Sequence, residues 1–336
     1  MPPFGKTAML LLVLFALGIS GCAGTSRRMA MIPPVTIEGL ATRYHPGQII
    51  SLPEGRIISF EELISLLAQN RLVFIGEVHS DPEDHLIQVQ ILQALMEFNP
   101  SPDAAMEFFQ RDQQKAIDRY FQGKISETQF LKEVDWRRNW GFPYRFYRPI
   151  IQIVRQRHRG LFAINAPREV VRKVARKGLH ALTPEERNAV ARHIDLTFPE
   201  HRAFLKKIFS KHRHGDLGNF EYFYQAQCVW EDTMAERITE ILETGSRPLV
   251  VFAGNGHILN RYGIPERVAS RTPVTMATLV IHRVQEPISF QKNGADFLWL
   301  TGNHFSLGPG KNPWKKMTIS DTVTPEKSKG APGSSE

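Results

Sequence analysis

Four residues combine chemical capacity with a shared setting: Glu77 and His79 in Gly76-Glu77-Val78-His79, Glu107 in Ala105-Met106-Glu107, and His257 in Gly254-Asn255-Gly256-His257. Each follows a short apolar run. Two carboxylates and two imidazoles can ligate a divalent cation such as Mn, Fe, Co or Zn. A bound cation of this kind lowers the pKa of its water to about 7 and yields a hydrolytic nucleophile. Without a metal the same groups can do acid–base work, because close carboxylates push their pKa values apart. Such residues also cap strand ends, so the case for chemistry rests on all four converging. Residues two apart in extended backbone share a side, which lets Glu77 and His79 act together.

Convergence requires that the preceding runs be neighbouring strands. Arg71 to Ile75, Asp103 to Met106, Leu161 to Ile164 and Pro248 to Phe252 are short, apolar and rich in strand formers; Val274 to Arg283 and Asp296 to Leu300 extend the series. Between them lie helical periods at Pro82 to Phe98, Arg111 to Gln122, Glu127 to Val134 and Tyr147 to Arg159. Alternation of this kind predicts an α/β fold, a largely parallel central sheet flanked by helices. A helix-rich stretch around 167–244 forms a helical subdomain. Ligands of open α/β sheets bind at the carboxyl ends of strands, where all four residues fall. The Gly254-Asn255-Gly256 segment is not a dinucleotide fingerprint, since Leu259 replaces its third glycine. Its glycines suit a tight turn presenting His257. His85, six residues beyond His79, reads as a surface residue of its helix, and Cys228 as a buried, inert thiol.

The first residues set an address. Lys6, the apolar run Ala8 to Leu17 and the small residues before Cys22 have the order of a secretory signal. The run is too short to span a bilayer, which takes ~20 residues. Ile19-Ser20-Gly21-Cys22 resembles the bacterial lipobox, so residues 1–21 are expected to be removed and Cys22 to carry lipid, palmitate included. The 336-residue chain would then keep 315 residues, anchored to the cell envelope, with Ala23-Gly24 favouring the outer membrane over the inner. Residues 22–45 read as a tether, 46–303 as the folded domain and 304–336 as a disordered tail rich in Pro, Gly, Ser and Lys. Only Cys228 would remain as a thiol, so no intrachain disulfide forms. The formal net charge of +8 is scattered, without zinc-finger spacing or an aromatic RNA-binding signature, which argues against nucleic acid.

With these residues in place the chain resembles the ChaN-type haem-binding lipoproteins, part of a wider group with the Tiki proteases, TraB-like proteins and erythromycin esterases. The resemblance runs through Gly76 to His79, Ala105 to Arg111 and Ala253 to Ile258. It is supported by Trp140 with Tyr147, Asn165-Ala166-Pro167-Arg168, Ala226-Gln227 with Trp230 and Met234, and Gly263 to Arg267. It implies two alternatives: haem carriage in iron acquisition with a tyrosine as iron ligand, or hydrolysis of a peptide or ester by a metal-dependent site. Glu77, His79, Glu107 and His257 belong to the shared motif and do not separate them. Tyr144, Tyr147, Tyr222 and Tyr224, in the two aromatic clusters Trp136–Tyr147 and Phe220–Tyr224, are the candidate haem ligands. His212-Arg213-His214 is a candidate propionate partner. Without a cysteine–histidine attachment motif any haem is noncovalent. A homodimer sharing haem is implied by the family alone.

Overall fold

In the computed structural model, residues 34–211, 219–284 and 289–302 are described. Their main sheet has eight strands. In chain order the strands are β1 (Val35–Glu38), β2 (Arg43–Tyr44), β3 (Ile49–Ser51), β4 (Arg56–Ile58), β5 (Leu72–Glu77), β6 (Asp103–Gln110), β7 (Leu161–Asn165), β8 (Leu249–Gly254), β9 (Met276–Arg283), β10 (Ser289–Gln291) and β11 (Phe297–Thr301). The helices are α1 (Phe60–Ala68), α2 (Pro82–Leu95), α3 (Gln114–Phe121), α4 (Glu127–Glu133), α5 (Trp136–Asn139), α6 (Tyr144–Gln156), α7 (Arg168–Lys177), α8 (Pro184–Asn188), α9 (Pro199–Lys211), α10 (Phe220–Thr244) and α11 (Ile264–Ala269).

The sheet order is β4-β3-β11-β9-β5-β8-β6-β7. From β11 to β7 every pairing is parallel; β3 and β4 add an antiparallel hairpin at one edge. Buried parallel strands read as continuous apolar runs, which is why Leu72 to Ile75 and Leu249 to Ala253 show no polar alternation. The register decides which face each residue takes. Val73 pairs with Val250 and Ala277, Ile75 with Phe252 and Leu279, and Met106 with Phe252. These side chains share one face, packed beneath Leu63 and Leu67 of α1, Ile87 and Ile91 of α2, and Ile150 and Val154 of α6. The other face is covered by α10, with α7 and α11 against it.

Alternation therefore assigns Glu77, two beyond Ile75, to the face of α2 and α6, and Glu107, one beyond Met106, to the opposite face. Strand β8 lies between β5 and β6, and its end at Gly254 pairs with Glu77. The chemistry predicted from spacing thus gathers on three adjacent strands.

The structure corrects one boundary. Residues 34–45, assigned above to the tether, belong to the fold: β1 pairs antiparallel with β2 and parallel with β10. Val35, Ile37 and Tyr44 are buried, and a free tether would leave that apolar surface in water. Cys22, the 1–21 segment, His212 to His214 and the 304–336 tail lie outside the described residues. Among those described, no helix is long and apolar enough to cross a membrane.

Candidate active or haem-binding crevice

The loop after β5 owes its shape to the first turn of α2. Asp81 caps the helix by accepting from the Glu83 amide, and Pro82 opens it. Asp84 reaches back to accept the Val78 amide at 2.8 Å, which fixes the segment carrying His79. The His79 ring then folds onto Glu77, its Nδ1 donating to Oε1 at 2.7 Å. Glu77 also accepts the Tyr147 hydroxyl at 3.0 Å, and its Oε2 faces His85 Nδ1 at 3.3 Å. His85 is thus no surface residue: it is 2 % exposed, and its Nε2 donates to the His79 carbonyl. Its place on the inner face of α2, stacked on Phe146, overrides the polarity of its side chain.

Glu107 accepts the Gly254 amide at 2.6 Å through Oε2, tying β6 to the end of β8. Its Oε1 stands 4.0 Å from His79 Nε2 and 3.6 Å from His257 Nε2. The four residues therefore do converge, around Glu107. The tight turn expected before His257 is present, residues 255–257 forming a 3-10 turn, but Gly254 has φ −61°, open to any residue. A Cβ there would lie 2.8 Å from His79 Cε1, so glycine is needed for close approach rather than for the turn.

These contacts set the charges. Burial opposes ionisation of Glu77, but the hydrogen bonds from His79 and His85 outweigh it and hold the carboxyl down at about 2. Burial likewise opposes charge on His79, which its bond to Glu77 and the nearby Glu107 reverse, raising it. His257 is lifted to about 9, the carboxylates Glu107 and Glu231 prevailing over burial.

Around this centre is a crevice of about 310 Å3. Phe108, Trp140, Phe142 and Trp230 form its apolar wall; Gln110, Asn139, Asn165 and Arg168 its polar side. Trp140 and Phe142 both reach the His79 ring, at 4.7 and 5.1 Å between centroids, because the chain reverses at Gly141 (φ +89°). Trp136 Nε1 donates to the Phe142 carbonyl and pins that turn.

None of the four candidate tyrosines lines the crevice. Tyr147 lies fully buried beneath it on Glu77, and burial raises its phenol far above the ordinary value. Tyr144 donates to Glu127, Tyr224 to the Leu196 and Phe198 carbonyls, and burial raises both phenols. Tyr222 packs against Gly178 and His180. No three or more His, Cys, Asp or Glu stand in a metal-ligating group among the described residues. The Nδ1 atoms of His79 and His257 are taken by carboxylates, and the open donors are their Nε2 atoms.

Spacing alone missed Glu231, which accepts from His257 Nδ1 at 3.2 Å, with His201 and Arg267 behind it. A signal was there: Glu231 and Asp232 interrupt the buried stripe Cys228, Val229, Met234, Ala235 and Ile238 of α10. Charge at core positions of a helix must be paired.

Over residues 63–268 the chain matches the family described as haem-binding uptake, Tiki superfamily, ChaN. A curated relative, the chloroplastic protein RETICULATA-RELATED 5 of Arabidopsis thaliana, is 24% identical over 290 residues, covering 78% of this chain and 38% of that protein. The chain thus spans about two-fifths of the curated relative's length. Among solved structures, ChaN of Campylobacter jejuni, described with cofacial heme binding, superposes with a TM-score of 0.60 at 17% identity, covering 79% of this chain and 98% of that one. A mutant of the erythromycin esterase EreC, in its open conformation, does so at a TM-score of 0.43 and 13% identity, covering 70% and 76%. The chain belongs to the ChaN family of haem-binding uptake proteins in the Tiki superfamily.

Proposed function

We propose that this protein binds haem at the crevice and serves iron acquisition at the cell envelope, held there by lipid on Cys22. The observation that carries the reading is the pair of imidazoles, His79 and His257, whose Nδ1 atoms are held by buried carboxylates and whose Nε2 atoms face an aromatic crevice. An imidazole fixed in this way offers Nε2 to iron once that nitrogen releases its proton, and a carboxylate on the other nitrogen strengthens it as a ligand. Phe108, Trp140, Phe142 and Trp230 would cover one porphyrin face or edge, and Arg168 a propionate. Haem, when bound, supplies the iron that the protein carries. The crevice volume sits at the low end of small-molecule sites, about 300–1,000 Å3. A crevice of that size would leave part of a haem outside it, a part that a second copy of the chain would cover.

Hemin titration of the mature protein tests this. A saturable Soret band is expected, shifted in His79→Ala or His257→Ala and unmoved in position by Tyr144→Phe, Tyr147→Phe, Tyr222→Phe or Tyr224→Phe. Absence of a saturable change would overturn haem binding, and a band moved by one tyrosine variant would replace the histidines as ligands. Incorporation of labelled palmitate, lost in Cys22→Ser, tests the anchor.

One observation favours a second reading. The Glu77–His79 and Glu231–His257 pairs converge on Glu107, an arrangement suited to activating water for peptide or ester hydrolysis, with or without Mn, Fe, Co or Zn. Hydrolysis stimulated by added metal and abolished in His79→Ala and Glu107→Ala would establish it.

A further inference from the structure

Behind His257 lies a polar cluster that no strand end supplies. Glu231 and Asp232 on α10 and Arg267 on α11 are 0 % exposed, and His201 on α9 is 1 %. Arg267 donates to Asp232 at 2.6 Å and to the Asp195 carbonyl at 3.0 Å. Glu231 divides its carboxylate between two tasks. Oε2 stands 3.3 Å from Arg267 Nε and 3.2 Å from His201 Nε2, while Oε1 is turned to His257 Nδ1 at 3.2 Å. Gly263 lets this happen: a Cβ there would meet the His257 carbonyl and lie 3.0 Å from Glu231 Oε1.

The pattern repeats on the opposite face of the sheet. There Glu77 gives Oε1 to His79 Nδ1 and turns Oε2 to a buried histidine, His85. Four imidazoles and three carboxylates thus alternate through the molecule, in the order His85, Glu77, His79, Glu107, His257, Glu231, His201. The two arms come from different helical layers and meet at Glu107. Neutralising Arg267 does not by itself require Glu231 Oε1 to face a ring, because Asp232 already pairs with that guanidinium.

We propose that Glu231, backed by Arg267 and His201, is the positioning residue of His257: it accepts the hydrogen bond from Nδ1 and so aims Nε2 at Glu107 and the crevice, as Glu77 does for His79. A carboxylate on one imidazole nitrogen fixes both the ring's orientation and which nitrogen is left for a ligand. The consequence for hemin rests on the crevice being the haem site; the positioning itself does not.

The test uses ligand-free mature protein with nitrogen-15-labelled histidine, the His257 signals being assigned by their loss in His257→Asn. Wild type should show Nδ1 as a hydrogen-bearing, hydrogen-bonded nitrogen. Glu231→Asp keeps the charge beside Arg267 but withdraws the acceptor by one methylene, and should move the Nδ1 signal. Glu231→Gln keeps an acceptor in place and should restore it. If the Asp variant does not fold, the wild-type spectrum decides alone, through whether Nδ1 or Nε2 carries the hydrogen-bonded hydrogen. Hemin affinity should fall about 10–100-fold in the Asp variant, the range for loss of a group that orients a metal ligand, and recover in the Gln variant. An unmoved Nδ1 signal in folded Glu231→Asp, or a wild-type Nδ1 that carries no hydrogen, overturns the proposal. If wild type takes up no hemin, haem binding fails while the nitrogen signals still decide the positioning.

Discussion

Tyr147 and Asp84 show at the scale of single residues how burial decides what a polar side chain does. The Tyr147 hydroxyl is committed to Glu77, among the rings of Phe108, Trp136 and His85. Replacing it by Phe removes a hydrogen bond to a carboxylate, worth about 1.5–3 kcal/mol. Urea unfolding of Tyr147→Phe should record a loss of that size. Asp84 is the reverse case. Burial, with Asp81 and Glu77 nearby, pushes its carboxyl up to about 8 despite the bond from the Val78 amide, and its Oδ1 has no hydrogen-bond partner. A raised carboxyl favours the fold while protonated and loses that share as pH rises from the unfolded value of 3.8 toward 8. Asp84→Asn keeps an acceptor and sheds the charge. Its stability relative to wild type should therefore improve as pH climbs from 3.8 toward 8, which melting curves across that window would reveal.

At the scale of elements, the end of β8 is the critical part, since it lies between β5 and β6, pairs in register with Glu77 and donates its amide to the Glu107 carboxylate. Gly254→Ala places a methyl against His79 with no backbone strain, so its effect is steric. Overpacking of this kind costs about 1–3 kcal/mol. It should displace His79 from Glu107, so hemin affinity should drop by more than the stability loss explains; equal stability and affinity with wild type would show that the ring has room. Most elements were legible in the sequence, because buried parallel strands are apolar runs and amphipathic helices keep a 3.6 period. Helix α6 shows where legibility stopped. The helical period is expected to start at Tyr147, a start that would leave Pro149 in the first turn. The helix begins instead at Tyr144, after Pro143, and carries Pro149 inside, because packing of Tyr147 and Ile150 against the sheet outweighs the lost hydrogen bond.

The whole molecule responds to pH through its buried pairs. Glu77 and Glu231 are both held down at about 2, the latter by His201, His257 and Arg267 against burial. A depressed carboxyl stabilises the fold above the unfolded value of 4.5, and that share is lost as pH falls from 4.5 toward 2. His257, raised to about 9, stabilises below its unfolded value of 6.5 and loses its share as pH climbs from 6.5 toward 9. Asp84 loses its share across 3.8 to 8, so it tilts the curve downward through neutral pH and draws the maximum toward the acidic end. Thermal melting of the mature protein should therefore peak at mildly acidic pH, between 4.5 and 6.5, and decline on both sides. A melting temperature that stays flat from strongly acidic to mildly alkaline pH would contradict the buried charges. Arg267→Ala, which leaves buried Asp232 to Arg271 alone and Glu231 to its histidines, should cost about 3–5 kcal/mol.

The sequence by itself determined the α/β alternation, the family, and the residues Glu77, His79, Glu107 and His257, because strand-end position and residue type are local properties. It also carried the aromatic wall, since Trp140 and Phe142 flank the turning Gly141. Tertiary structure decided what depends on contact across distance. It turned Tyr147 and His85 inward as partners of Glu77, kept all four tyrosines from the crevice and drew residues 34–45 into the fold. It also placed Glu107 on the opposite face from Glu77. Above all it brought Glu231 on α10, Arg267 on α11 and His201 on α9 behind His257, residues separated by up to 66 positions. No periodicity encodes such a meeting, because it is set by how two helical layers close on the two faces of one sheet.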